Sequence, residues 1–226
     1  MVMQKKTRKW FFAAGIWFLL FAVFTHLVAT VDVHPIGPEG TVVGFSTVNR
    51  WAFERIGIHV GWYKITESLG MAALAVVFSF ALLGLYQLVT RKGIRKVNGC
   101  LLMLGGFYGA LLVAYLVFEH VVINYRPVVG AEGLEPSYPS SHTLLVVCVM
   151  TSAAMQIRRL WPEKCWVCQT MDVTAAVIAS VTVIGRLLSG VHWLTDILGG
   201  LLLSAALVTL YGAGLHFLAE RPESRE

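Results

Sequence analysis

Apolar residues in this chain fall in long unbroken runs, not in the short alternations of a sheet. Residues 10–31 (WFFAAGIWFLLFAVFTHLVATV) make the first run, and 68–89, 98–118 and 193–218 make three more. Two shorter runs, 143–157 and 173–190, are richer in small residues and lie between the last two of these. A helix needs about 20 residues to cross a bilayer. The short pair reaches that length only if its polar ends are included. The pattern predicts an all-α polytopic membrane protein with six transmembrane helices. The largest connection, 32–63, opens with VDVHPIGPEG, whose prolines and glycines predict an irregular turn. Beyond it, Val48, Trp51, Ala52 and Ile56 can share one helical side, with Arg50 and Glu54 opposite. Arg55 falls on the apolar side and has to snorkel. This predicts a helix lying in the outer membrane interface.

Composition agrees with the runs. Of 226 residues, 57% are hydrophobic and 14% charged, against about 25% charged in soluble domains. If the chain starts inside, segments 1–9, 90–97, 158–169 and 219–226 are the inner ones, and they hold 13 of the 18 lysines and arginines. Short inner loops favour Lys and Arg, so both termini are expected on the cytoplasmic side. That bias explains the net charge of +5 and leaves no basic patch for nucleic acid. Trp10, Trp62, Trp161, Trp166 and Trp193 lie near span ends, as an aromatic belt requires. The first run is longer than the 7–15 apolar residues of a cleaved signal, so a retained helix is expected. Residues 1–226 read as one domain without a linker or repeat. Cys165 and Cys168 form a single CxxC in an inner loop. Without a second pair or a suitably spaced histidine it reads as two reduced cysteines.

The polar residues at the outer ends of the spans carry the candidate chemistry. Arg126 and Pro127 follow the third span, and Pro139, Ser140, Ser141 and His142 precede the fourth. Arg186 closes the fifth, and His192 and Asp196 open the sixth. Two arginines, two histidines, serines and a carboxylate thus reach one side of the membrane from distant segments. His192 and Asp196 are four residues apart, so on a helix they share a face. Asp196 can hold the imidazole in one tautomer and leave the other nitrogen free to attack. An unpaired Asp one turn inside an apolar helix costs up to about 3.5 kcal/mol, which makes a partner expected, with His192 nearest. Ser140 and Ser141 sit where an N-cap belongs, and helix N-termini bind anions. Arginines suit phosphate. The set reads as a phosphate site in which one histidine attacks phosphorus and the other protonates the departing oxygen. Arginines and N–H groups stabilise the transition state. No carboxylate cluster for a metal stands out, so chemistry without a metal or other cofactor is expected.

These segments resemble the type 2 phosphatidic acid phosphatase superfamily, membrane lipid phosphatases that include bacterial undecaprenyl pyrophosphate phosphatases. The family pattern is Lys, six residues, Arg-Pro; then Pro-Ser-Gly-His; then Ser-Arg, five residues, His, three residues, Asp. This chain reads EHVVINYRP at 119–127, PSSH at 139–142 and GRLLSGVHWLTD at 185–196. The motifs cover residues 119–196. The resemblance implies His192 as the nucleophile forming a phosphohistidine, Asp196 as its orienting partner, and His142 as the general acid that later activates water. It implies that Arg126, Ser140, Arg186 and the Ser141 N–H hold the phosphate.

Three positions depart from the pattern. Gly185 replaces a Ser, Ser141 replaces a Gly, and Glu119 replaces the Lys. An ionised carboxylate repels phosphate, so Glu119 is expected either to pair with Arg126 or to meet a cationic or hydroxylated headgroup, shifting substrate preference. The expected protein is a multi-pass cell-membrane lipid phosphatase with an extracytoplasmic site. Its expected substrates are an isoprenoid pyrophosphate, phosphatidylglycerophosphate or phosphatidic acid. Rival readings are a lipid phosphotransferase using the same site and a non-catalytic lipid-binding or transport scaffold.

Overall fold

The computed structural model describes residues 4–130 and 133–220. Its helices are α1 (Lys5–Thr30), α2 (Ser46–Ile56), α3 (Val60–Arg91), α4 (Gly99–His120), α5 (Ser141–Leu160), α6 (Cys165–Leu188) and α7 (Leu194–Ala219). All but α2 are long and apolar enough to cross a membrane, giving the six expected spans. The helices alternate in direction, so α1, α4 and α6 end where α3, α5 and α7 begin. The two ends of the described chain meet at the opposite end of the bundle. There the Gln4 N–H donates to the Glu220 carboxylate at 3.2 Å, and the Thr7 hydroxyl donates to the same group. The basic segments 5–9, 91–96 and 158–164 lie at that end too. Arg221 and Arg225, assigned to the same side from sequence, lie outside the described residues.

α5 and α7 form the centre. In each, 56% of the apolar window is buried, against 11–22% in the other spans. Their small residues explain this, because interhelical attraction in lipid comes from close backbone approach. Gly200 is one example: a Cβ there would stand 3.1 Å from the Ser140 carbonyl oxygen and from Thr143. α1 and α4 pack along α7, and α6 and α3 pack against α5. The outer faces of α1, α3 and α4 leave large apolar side chains such as Phe12, Phe78 and Val113 uncovered, as lipid contact requires.

α2 is the helix expected in the connection between the first two spans. Asn49 and Ala52 are buried, whereas Val48 and Trp51 are exposed. The Asn49 amide decides the orientation. It donates to the Gly44 carbonyl at 2.8 Å and the Thr195 hydroxyl at 2.9 Å, and accepts the Thr195 N–H at 3.2 Å. A satisfied amide turns inward and locks α2 onto the first turn of α7, leaving Val48 and Trp51 exposed. The connection between α5 and α6 is shorter than expected. Pro162 lies in the turn 161–164, and Cys165 and Cys168 belong to the first turn of α6, not to a loop. Both are free thiols.

Candidate active site

The start of α7 fixes the first histidine. His192 stands two residues before the helix, just outside its N-cap Trp193. The two residues therefore do not share a helical face, as their spacing had suggested. Asp196 instead occupies the third helical position and folds back: its Oδ2 accepts the Trp193 N–H at 2.9 Å, and its Oδ1 accepts the Asn124 amide at 3.1 Å. These two donors, more than His192, are the partners its burial demanded. The imidazole still lies beside the carboxylate, with Nδ1 3.7 Å from Oδ2. His192 and Asp196 are both buried. Burial pushes the His192 imidazole below its ordinary value; Asp196 opposes this, and Arg126 and Arg186 add to the lowering. The neutral ring is thus favoured.

Arg126 is placed by the connection between α4 and α5. Tyr125 and Pro136 pair across it. The Arg126 N–H donates to the Glu135 carbonyl at 3.0 Å, and the Ser137 N–H to the Asn124 carbonyl at 2.9 Å. The Trp193 indole N–H donates to the Tyr125 carbonyl at 2.8 Å, tying this connection to α7. The Arg126 side chain pairs with Glu135 at 2.9 Å. That pairing replaces the one with Glu119 considered from sequence. α4 ends at His120, so Glu119 and Arg126 are not on one helix. They nevertheless wall the same cavity of about 270 Å³, with Tyr115, Glu135, Ser137 and Ser141. Ser140 is the N-cap of α5, its hydroxyl accepting the Thr143 N–H at 3.4 Å, as its position predicted. The Ser140 N–H donates to the Asp196 carbonyl at 3.0 Å, joining the starts of α5 and α7.

The last turn of α6 delivers Arg186, which is fully buried, with its guanidinium 5.3 Å from the centre of the Tyr63 ring. Gly185 lets α3 approach there. A Cβ at 185 would lie 2.7 Å from Thr66 Cγ2 and 3.0 Å from Trp62. The next residue along α3, Glu67, points one carboxylate oxygen at two groups. Its Oε1 accepts from Arg186 Nη2 at 2.6 Å and lies 3.1 Å from His142 Nε2.

Five segments therefore converge: α3, the α4–α5 connection, the start of α5, the end of α6 and the start of α7. Several polar atoms in this buried cluster have no hydrogen-bond partner among the described residues. They include Arg126 Nε, Arg186 Nε and Nη1, His142 Nδ1 and both ring nitrogens of His192, beside the oxygens of Asn124, Ser137 and Thr143. Such atoms are costly to bury unless something pairs with them, and this set is rich in cations and N–H donors. It suits an anion with several oxygens. Among the described residues no group of three or more His, Cys, Asp or Glu is arranged to hold a metal ion.

Comparison with known proteins can now be set beside this geometry. The PAP2 superfamily model matches residues 66–216. The chain belongs to the PAP2 superfamily. Its fold is similar to that of a transmembrane PAP2-type phosphatidylglycerophosphate phosphatase from Bacillus subtilis, with a TM-score of 0.66 and 20% identity. That match spans 93% of this chain and 99% of the other. The comparison with curated proteins returned no match.

Within this PAP2 protein, two of the departures acquire physical reasons. Gly185 is required by the close passage of α3, and Glu119 borders the cavity instead of neutralising Arg126. Sequence reasoning missed Glu67, Asn124, Asn49 and the role of Glu135. Glu67 lay just outside the apolar run 68–89, and only the extension of α3 back to Val60 puts this ionisable residue inside a span. Asn124 and Asn49 lie in polar segments where nothing marks one amide as buried.

Proposed function

We propose that this PAP2 protein is an integral-membrane lipid phosphatase acting at the outer face of the cell membrane. The observation that carries this reading is the buried meeting of Arg126, Arg186, His142 and His192, whose unpartnered nitrogens match the oxygens of a phosphate. The site lies at the end of the bundle opposite the basic segments, and those segments favour the cytoplasm. Its substrate is the phosphate or pyrophosphate monoester of a lipid. An isoprenoid pyrophosphate or a glycerolipid phosphate, such as phosphatidylglycerophosphate or phosphatidic acid, keeps its tail in the bilayer while its head enters.

In this mechanism Asp196 faces the Nδ1 side of His192 and leaves Nε2 to attack phosphorus. The bond from phosphorus to the leaving oxygen breaks as a phosphohistidine forms. His142 gives its proton to that oxygen, then takes one from the water that hydrolyses the phosphohistidine. Arg126, Arg186, Ser140 and the N–H of Ser141 hold the equatorial oxygens. The scheme draws its positive charge from the guanidinium groups of Arg126 and Arg186 and routes no step through a metal.

The test is phosphate release by the purified protein, with EDTA present, on undecaprenyl pyrophosphate, phosphatidylglycerophosphate and phosphatidic acid. Release from at least one supports the reading. Transfer of phosphate to a second lipid without release would make the protein a phosphotransferase, and binding without either would make it a scaffold. Two further results are expected. The lowered His192 value places the acid limb of kcat/KM below about pH 6.5, the ordinary imidazole value; activity rises with pH through that limb as the ring loses its proton. Glu119→Ala changes the ranking among the three lipids without abolishing turnover, because Glu119 borders the cavity and not the histidines. Rates in the parent's ranking on all three would remove Glu119 from specificity.

A further inference from the structure

Glu67 belongs to none of the motif segments, yet it engages the two groups that a phosphate would need. One carboxylate oxygen takes Arg186 Nη2 at 2.6 Å and His142 Nε2 at 3.1 Å, as a phosphate oxygen would. The cavity of about 270 Å³ at this end of the bundle is walled by Arg126 and Ser141 but by neither histidine nor Glu67. His192 borders only a crevice of about 10 Å³. Glu67 thus occupies the arginine–histidine pair at a point that, among the described residues, no open cavity reaches. Its side chain is 40% exposed while that of Arg186 is fully buried, so the carboxylate is the partner with room to leave.

We infer that Glu67 is a specificity-determining residue, a tethered carboxylate that fills the phosphate subsite and yields it only to a doubly charged phosphate. The inference rests on the phosphatase reading above. A bilayer presents phosphodiester headgroups in great excess, each with a single negative charge on its phosphate. An open pair of Arg186 and His142 would be occupied by them. A terminal phosphate monoester carries close to two charges at pH 7, since its second pKa is about 6. It attracts the Arg186 guanidinium more strongly than one carboxylate does, whereas a diester does not. Specificity is then a difference between two displacements, with Glu67 as the competitor both ligands face.

Gly185 is part of the device. It admits Thr66 and Trp62 of α3 against α6, which brings Glu67 within reach of Arg186 on the adjacent residue.

The test uses the purified full-length protein in detergent. Inorganic phosphate binding is measured by calorimetry, and inhibition of turnover is measured with mixed micelles containing phosphatidylglycerol. If the carboxylate-bound arrangement outweighs the open one about tenfold, Glu67→Gln binds phosphate about tenfold tighter. It also becomes sensitive to phosphatidylglycerol, to which the parent is indifferent. Gly185→Ala, which pushes α3 away, moves both readouts in the same direction and carries the test alone if Glu67→Gln does not fold. Equal or weaker phosphate binding, with diester sensitivity unchanged, overturns the inference and leaves Glu67 as a structural partner of Arg186. A parent that neither binds phosphate nor releases it overturns the phosphatase reading instead, so the two failures are distinguishable.

Discussion

His192→Ala is expected to lower phosphate release by about 10⁴-fold or more, the scale on which removing a catalytic nucleophile acts. It is expected to leave the helix content and the thermal midpoint in detergent nearly unchanged. The separation of these effects follows from the contacts. Neither ring nitrogen of His192 has a hydrogen-bond partner among the described residues, so deleting the ring strands no buried group. Asp196 keeps both of its donors, the Trp193 N–H and the Asn124 amide, and α7 keeps its start. A buried histidine with a purely structural role would behave in the opposite way, with stability falling and turnover following only the folded fraction. A variant that retains more than about 1% of parent turnover would exclude His192 as the nucleophile, because general effects of the site alone supply far less than that.

The site depends on attachments that join the helix ends around it. α5 and α7 bury more than the other spans, and their starts are joined by the Ser140 N–H to the Asp196 carbonyl. The Trp193 indole holds the Arg126 segment, and the Asn49 amide holds α2 over the first turn of α7. All of these attachments reach the first turn of α7 or the residue before it. Phosphate chemistry needs its groups fixed before the substrate arrives. Here that fixation comes from backbone and amide hydrogen bonds shielded from water.

The spans were legible because lipid imposes length and hydrophobicity on each run separately, with no long-range contact needed. α1, α4 and α7 begin or end within a few residues of their expected limits. The motif residues were legible because their chemistry is local: an N-cap serine, an arginine at a span end, and a histidine four residues from an aspartate. What stayed hidden is tertiary. Asp196 needed a partner by its burial, but that the partners are Asn124 and the Trp193 N–H depends on how the α4–α5 connection folds back. Val48 and Trp51 marked the apolar side of α2, which is exposed, but nothing in the sequence showed that Asn49 seats the helix on α7. Glu119 pairing with Arg126 was plausible at seven residues along a helix, but α4 stops at His120 and Glu135 takes the arginine. Glu67 lies 75 residues before His142, and only the packing of α3 on α5 and α6 brings it to the site.

Asp196→Ala is expected to damage stability and activity together, and its comparison with Asp196→Asn separates the two. The alanine variant strands the Asn124 amide and leaves the Trp193 N–H unpaired at the start of a buried helix. Each stranded buried donor costs about 1–3 kcal/mol, and loss of a capping contact belongs to the same range. A total near 2–4 kcal/mol is expected, read as a fall in the thermal midpoint and a rise in susceptibility to proteolysis at the α4–α5 connection. Asparagine keeps one oxygen for one of the two donors and removes the charge beside His192, so it recovers part of the stability. Its turnover is still expected to fall by about 10²–10⁴-fold, because an amide does not favour the Nδ1–H tautomer or the charged ring that forms as Nε2 attacks. If Asp196→Asn matches the parent in turnover, the carboxylate serves only to cap α7, and the orientation of His192 must come from the backbone around Gly190 and Trp193. If it matches the parent in stability but not in turnover, Asp196 acts on the imidazole across the 3.7 Å that separates them.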